Sequence, residues 1–269
     1  METLRIFTGS MKNITLGFKG KDGKHFSKKV KSYKYYPALR QRVSDKDNEN
    51  INVEISKENS TAYIKIKSFA SGHIEQDNPL LEKVFNKIKD YKFLFLDIRG
   101  NGGGNEEYYM KNILPYLLEE KKSVDYYLLF RHGKYIKPFL RDKGFKYFLK
   151  AGELKLTDEL PQNLALKDEY RKDFGFFVKN SRSAAGTKYT GFKGKIYILT
   201  DHHTYSAAES FSAFAKATGI ATIAGTTTGG DGVNLDSCVA ALKNSGLVIR
   251  FNMNMGLNPD GSINEEVHT

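Results

Sequence analysis

The sequence predicts an α/β protein with a largely parallel inner sheet, and three observations carry that expectation. Short, continuous apolar runs recur: FLFLDI at 93–98, KIYILT at 195–200 and ATIAG at 221–225. Runs of that length, apolar at most positions, suit strands buried on both faces. Between them lie stretches with helical spacing, and strand–helix alternation of this kind builds parallel sheets covered by helices.

Taken in order, residues 12–20 (KNITLGFKG) alternate partly and lead into the turn signal KDGK. HFSKKVKSYKYY follows, and the whole reads as a β-hairpin. Residues 40–60 are polar and charged, and read as a boundary or loop. TAYIKIKSF at 61–69 alternates and reads as a strand. EQDNPLLEKVFNKIKDY at 75–91 puts Leu80, Leu81, Val84, Phe85 and Ile88 on one helical face, with Pro79 suited to a first turn. After FLFLDI comes RGNGGGNEE, then YYMKNILPYLLEE as a helix. Residues 124–180 are aromatic-rich and give no clear pattern. KIYILT leads through the turn DHHTYS into AAESFSAFAKATG, a helix closed by Gly219. ATIAG is a third buried strand, and TTTGGDGVN a Gly/Thr loop. Further strands, GLVIRF among them, fill 235–254. No internal repeat or low-complexity linker is visible.

The chain has 269 residues and is 40% hydrophobic, enough for a sizeable core. No apolar run has the length needed to span a bilayer, so stable membrane insertion is not expected. The start, METLRIFTGSMKN, lacks the layout of a signal peptide. A single cysteine, Cys238, rules out an internal disulfide. CxxC, HExxH and His pairs at i,i+4 are missing, so no zinc site is expected. Net charge is +11. Residues 201–269 hold three basic and seven acidic residues, a net −4, which leaves +15 on residues 1–200. The lysines are scattered among acids, which reads as a solvated surface and not as a nucleic-acid interface.

Two segments carry chemistry. The first is Asp97-Ile98-Arg99-Gly100-Asn101-Gly102-Gly103-Gly104, a glycine loop after a buried strand. Glycines there let the backbone turn sharply and expose N–H groups that bind a phosphate or a developing oxyanion. It is no Walker loop, because GK[ST] does not follow. A plain glycine turn is the competing reading. The second is Thr204-Tyr205-Ser206-Ala207-Ala208-Glu209, a serine where a helix begins, at the positive end of the dipole. The competing reading is a simple serine N-cap.

Together, LFLDIRGNGGG, YILTDHHTYSAAESFSAFAKATG and ATIAGTTTGGDG resemble, in order and spacing, the S41 peptidases: tail-specific C-terminal processing proteases, the tricorn core and their relatives. The resemblance spans residues 61–269. It implies a ClpP/crotonase-like catalytic core at 56–269, expected to be truncated at its C-terminus, preceded at 1–55 by a partial PDZ-like β segment and linker. It implies a serine endopeptidase acting on extended or C-terminal polypeptide segments, with Ser206 as nucleophile. The oxyanion hole would come from the N–H of Ala207 and that of Gly103 or Gly102. Asp97, Arg99 and Asn101 would brace the glycine loop, and Glu209 would support the nucleophile. No metal or organic cofactor is implied, oligomerisation is left open, and the location implied is the cell envelope or outside the cell.

The sequence departs from the Ser-Lys branch, because Asp231 stands at the lysine position of the GTTTGGDG loop. The Ser-His-Glu branch fits better. Its Glu is assigned to Glu265, with Glu266 as the alternative. Its His lies in a helical region before the PDZ domain, so this chain reads as a fragment. His73 and His203 are the candidate bases within it, with His25, His132, His202 and His268 less placed. Three further readings stay open: a non-catalytic ligand- or peptide-binding module on the same fold, a crotonase-type acyl-transferring enzyme, and, last, a basic nucleic-acid binder.

Overall fold

The computed structural model describes residues 13–19, 25–31, 49–131, 154–162, 164, 166, 168–235, 237–242 and 244–269. Two compact units are distinguished: residues 1–49 with 241–248, and residues 50–240 with 249–269. In the first, β1 (Asn13–Lys19) pairs antiparallel with β2 (His25–Lys31), from Asn13 opposite Lys31 to Lys19 opposite His25. This is the expected hairpin. Its KDGK turn and residues 32–48 lie outside the described residues.

The second unit is built on a five-stranded sheet. Its edge is β3 (Ile51–Ser56), antiparallel to β4 (Thr61–Ile66). β3 falls where the sequence suggested a boundary loop. Ile51, Val53 and Ile55 alternate with polar residues there, a two-residue period that the surrounding charges mask. Next comes α1 (His73–Lys87), which buries Ile74, Leu81, Val84 and Phe85. Pro79 sits inside this helix and not in its first turn, because the helix starts at His73, before the expected Glu75, with Ile74 already on its buried face.

β5 (Phe93–Asp97) follows. The next expected helix is broken into α2 (Glu107–Asn112) and α3 (Leu114–Leu117). Pro115 lacks an N–H, and Ile113 leaves the helical region at φ −123°, ψ −63°. β6 (Lys122–Arg131), β7 (Lys155–Leu156), α4 (Asp168–Asp173) and β8 (Phe174–Ala184) occupy the stretch that gave no pattern. Residues 132–153 lie outside the described residues. Then come β9 (Lys195–Thr200), α5 (Ala207–Thr218), β10 (Thr222–Gly225), β11 (Cys238–Ala241), β12 (Val248–Phe251), β13 (Asn254–Leu257) and α6 (Asn264–Val267). As expected, α5 ends on Gly219, which is left-handed at φ 69°.

The inner sheet has the order β10-β9-β5-β4-β3, parallel throughout except for β3. β10 is its edge and is partly exposed, not the buried strand expected. A second sheet, β13-β6-β8-β7, is antiparallel. β6 is buried on both faces. Val124, Tyr126, Leu128 and Phe130 enter the main core, while Tyr127 and Leu129 join a smaller cluster with Leu160, Leu166 and Phe177. Aromatics dominate the main core: Phe69 stacks on Tyr108 at 4.8 Å, and Phe85 on Tyr116 at 5.2 Å. α5 packs on β6 and β10 and is buried from Ala207 through Ala215.

Candidate active site

β5 and β9 are adjacent and parallel, with Asp97 opposite Leu199. The chain therefore leaves both strands at the same level, and the glycine loop and the serine turn emerge side by side. They are laced together. Thr204 Oγ1 donates to the Ile98 carbonyl at 3.1 Å, the Gly100 N–H donates to Asp201 Oδ1 at 2.9 Å, and the Tyr205 N–H donates to the Asn101 carbonyl at 3.0 Å.

At the root of the loop, Asp97 is 1% exposed and collects a fork from Arg99 (Nη2 at 2.7 Å, Nε at 3.0 Å), Lys65 Nζ at 3.1 Å and the Tyr63 hydroxyl at 2.5 Å. Burial alone would raise its pKa. The hydrogen bonds from Arg99, Tyr63 and Lys65 win and hold the carboxyl well below the usual carboxylate range. Asn101 is fully buried. Its Nδ2 donates to the Ile66 carbonyl at 3.1 Å, and its Oδ1 accepts the Gly103 N–H at 2.9 Å. The expected bracing set is thus joined to the loop.

Gly103 and Gly104 have no room for a side chain. A Cβ on Gly103 would fall 2.6 Å from the Tyr205 carbonyl oxygen and 2.8 Å from both Ala207 N and Ser206 Cβ. One on Gly104 would fall 2.4 Å from Phe69 backbone, with which Gly104 forms a parallel bridge. Both have positive φ, +91° and +141°.

Ser206 precedes α5 at φ 55°, ψ −121°, a conformation that L-residues rarely hold. Its N–H donates to the Gly230 carbonyl at 3.0 Å, and its side chain does not cap the helix. The N-cap reading therefore fails: Ser206 is held in a strained turn with its hydroxyl free of the helix end. Sequence reasoning placed this serine but had no signal for the strain.

The loop carrying Gly230 is fastened by the C-terminal segment. Glu265 Oε1 accepts the Asp231 N–H at 3.0 Å and Asn234 Nδ2 at 2.8 Å. The Thr228 N–H donates to the Thr269 carbonyl, and the Thr269 N–H returns to Thr228 Oγ1. Burial, then repulsion from Asp231, raises the Glu265 pKa. Glu266 faces elsewhere and accepts the Tyr170 hydroxyl at 2.9 Å. Of the two glutamates, Glu265 is the one joined to the Ser206 loop.

Asp231 has φ 60° and accepts the Tyr205 hydroxyl at 2.7 Å. Burial, then Asp231, pushes the Tyr205 phenol far up, so it stays a donor. Glu209 is fully buried and accepts Thr269 Oγ1 at 2.6 Å and Asn264 Nδ2 at 3.4 Å, a supporting role beneath the loop. The two candidate bases are not brought to the serine by any hydrogen bond. His73 opens α1, with its N–H on Ala70. His203 is exposed, with its N–H on Asp201 and its ring 3.9 Å from that of His202.

A family model, Peptidase family S41, matches residues 60–268. The chain belongs to peptidase family S41. Among solved structures it is similar to a candidate peptidase from Parabacteroides merdae, with 22% identity over 80% of this chain and 54% of that one, at a TM-score of 0.55. It is also similar to mature CPAF complexed with lactacystin, with 13% identity over 97% of this chain and 63% of that one, at a TM-score of 0.50. Those likenesses support the S41 fold. The chain spans 54% and 63% of the lengths of these two structures. Among curated proteins, none matches the sequence. Among the described residues, no helix is long and apolar enough to cross a membrane.

Proposed function

We propose that this S41 chain carries the acylating half of a serine endopeptidase that cleaves extended or C-terminal polypeptide segments. The observation that carries the reading is the strained Ser206 turn packed directly against Gly103 at the head of α5. Ser206 attacks the scissile carbonyl. The Ala207 N–H, first in α5 and without an intrahelical partner, receives the oxyanion together with Gly102. Gly103 was the other expected donor. Its N–H is already engaged by Asn101, so its part is to let the two loops meet. Glu265 orients the base. Asp231 donates nothing to the serine and takes a phenol hydrogen bond instead, which favours the Ser-His-Glu arrangement over Ser-Lys. The identity of the base stays open, with His73 and His203 as the candidates. By family resemblance, the enzyme works in the cell envelope or outside the cell.

The test is labelling of the protein with a fluorophosphonate probe, with Ser206→Ala as control. Labelling that is lost in the control is the expected result, and His73→Ala and His203→Ala then show whether either histidine is the base. A second reading, a binding module on the same fold, is favoured by the missing hydrogen bond between Ser206 and any histidine among the described residues. Absence of labelling would favour that reading over the first.

A further inference from the structure

Behind the nucleophile, one ion pair touches three separate segments. Glu106 stands between the glycine loop and α2, Arg182 comes from β8, and Ser210 lies one helical turn beyond Ser206 on α5. Glu106 Oε1 accepts Ser210 Oγ at 2.7 Å and Arg182 Nη2 at 2.8 Å. Arg182 Nη1 donates to the Gly232 carbonyl at 2.7 Å, two residues past the Gly230 that holds the Ser206 N–H. The Tyr109 hydroxyl shares Ser210 Oγ at 2.8 Å, and the guanidinium lies 4.7 Å over the Tyr126 ring.

The Arg182 side chain is 7% exposed and that of Glu106 41%. Burying a guanidinium works against its charge, yet Glu106, then Tyr109 and Tyr126, keep it firmly protonated. An ion pair whose guanidinium is buried is weak evidence for stability alone, because apolar residues of the same volume fill such a place as well or better. Its wiring is what a filler would lack. The fork of one arginine reaches two acceptors at fixed separation, which a lysine or an apolar side chain cannot do. Those acceptors lie on the two loops flanking the serine.

We infer that Glu106 and Arg182 are positioning residues for Ser206. The pair fixes the glycine loop, the first turn of α5 and the 229–232 loop in one mutual arrangement, and neither residue needs to touch substrate. The inference rests on the peptidase reading above. Misplacing reacting groups by about an ångström is enough to slow a reaction about a hundredfold.

The experiment measures fluorophosphonate labelling of the full-length protein, separating the maximal inactivation rate from the half-saturating probe concentration, beside thermal unfolding. Arg182→Met leaves Glu106 with water access and is expected to fold. Its maximal rate should fall about 10- to 100-fold, with half-saturation and Tm nearly unchanged. Arg182→Lys keeps the charge and should recover part of the rate. Ser210→Ala tests the Glu106 end and should slow labelling several-fold, whether or not Arg182→Met folds. Wild-type rates in Arg182→Met or Ser210→Ala, or a loss that only tracks the unfolded fraction, would overturn the inference. If the unmodified protein itself fails to label at Ser206, the peptidase reading falls, and this inference falls with it.

Discussion

Gly103 lies against Ser206 so closely that a Cβ on the glycine would sit 2.8 Å from the serine Cβ. Gly103→Ala therefore forces the two loops apart. The clash is with backbone on both sides, at the Tyr205 carbonyl and the Ala207 nitrogen, so no rotamer relieves it. Alanine at φ +91° adds strain of about 1–3 kcal/mol. We expect labelling of Ser206 to fall by at least about a hundredfold, with a lower denaturation midpoint. A variant that labels normally would mean that the loops are not held as described.

The backbone of Ser206 separates its two costs. Ser206→Ala and Ser206→Gly both remove the hydroxyl and should abolish labelling. Only glycine relieves φ 55°. Ser206→Gly should therefore be the more stable of the two by about 1 kcal/mol, read from urea denaturation. Equal midpoints would show that the turn stores no strain.

Glu265 and Glu266 should part company. Glu265→Gln is expected to lower labelling on the order of a hundredfold or more, by analogy with the orienting carboxylate of other serine triads. Glu266→Gln should leave it unchanged. The pH dependence of stability follows from the raised pKa of Glu265. A carboxyl raised in the folded state contributes stability that is present below its unfolded pKa, about 4.3, and lost as pH rises through the folded value. Glu265→Gln should thus unfold at an equal or higher temperature than the wild type at pH 7, an advantage that vanishes near pH 4. A destabilised Glu265→Gln at neutral pH would contradict this.

Asp97 has the opposite sign. Its depressed pKa means a contribution present above its unfolded pKa, about 3.9, and lost as pH falls toward the folded value. Asp97→Asn should destabilise the protein at pH 7, with the gap to wild type narrowing below pH about 4. Urea midpoints across that range give the answer, and a gap that is constant with pH would rule the Asp97 network out as its origin.

Much of this site was legible before any coordinates. Ser206, between the apolar run KIYILT and a helix with a clear period, and the triple glycine after FLFLDI each had a plain competing reading, and the resemblance of the three segments together singled them out as candidates. The less legible parts have physical reasons. β3 alternates only over Ile51, Val53 and Ile55 within a charged stretch. β10 reads as buried by composition, but it is an edge. The break after Asn112 had a signal in Pro115 that helical periodicity on both sides hid. The Glu106–Arg182 pair joins positions far apart in sequence, so no spacing rule could reveal it. The strain at Ser206 is a property of φ and ψ, to which residue type gives almost no clue when the residue is not glycine.

The strained turn of Ser206 is held by Gly230, and the Gly230 loop is held in turn by Glu265 and Thr269. On the ribosome, Ser206 is made before Glu265 and Thr269. Until they emerge, the turn lacks its latch and is free to relax to an ordinary helix start. The nucleophile would therefore stay unarmed on the nascent chain until Glu265 and Thr269 have followed it out, beside the many other unfolded polypeptides that an early peptidase would otherwise find.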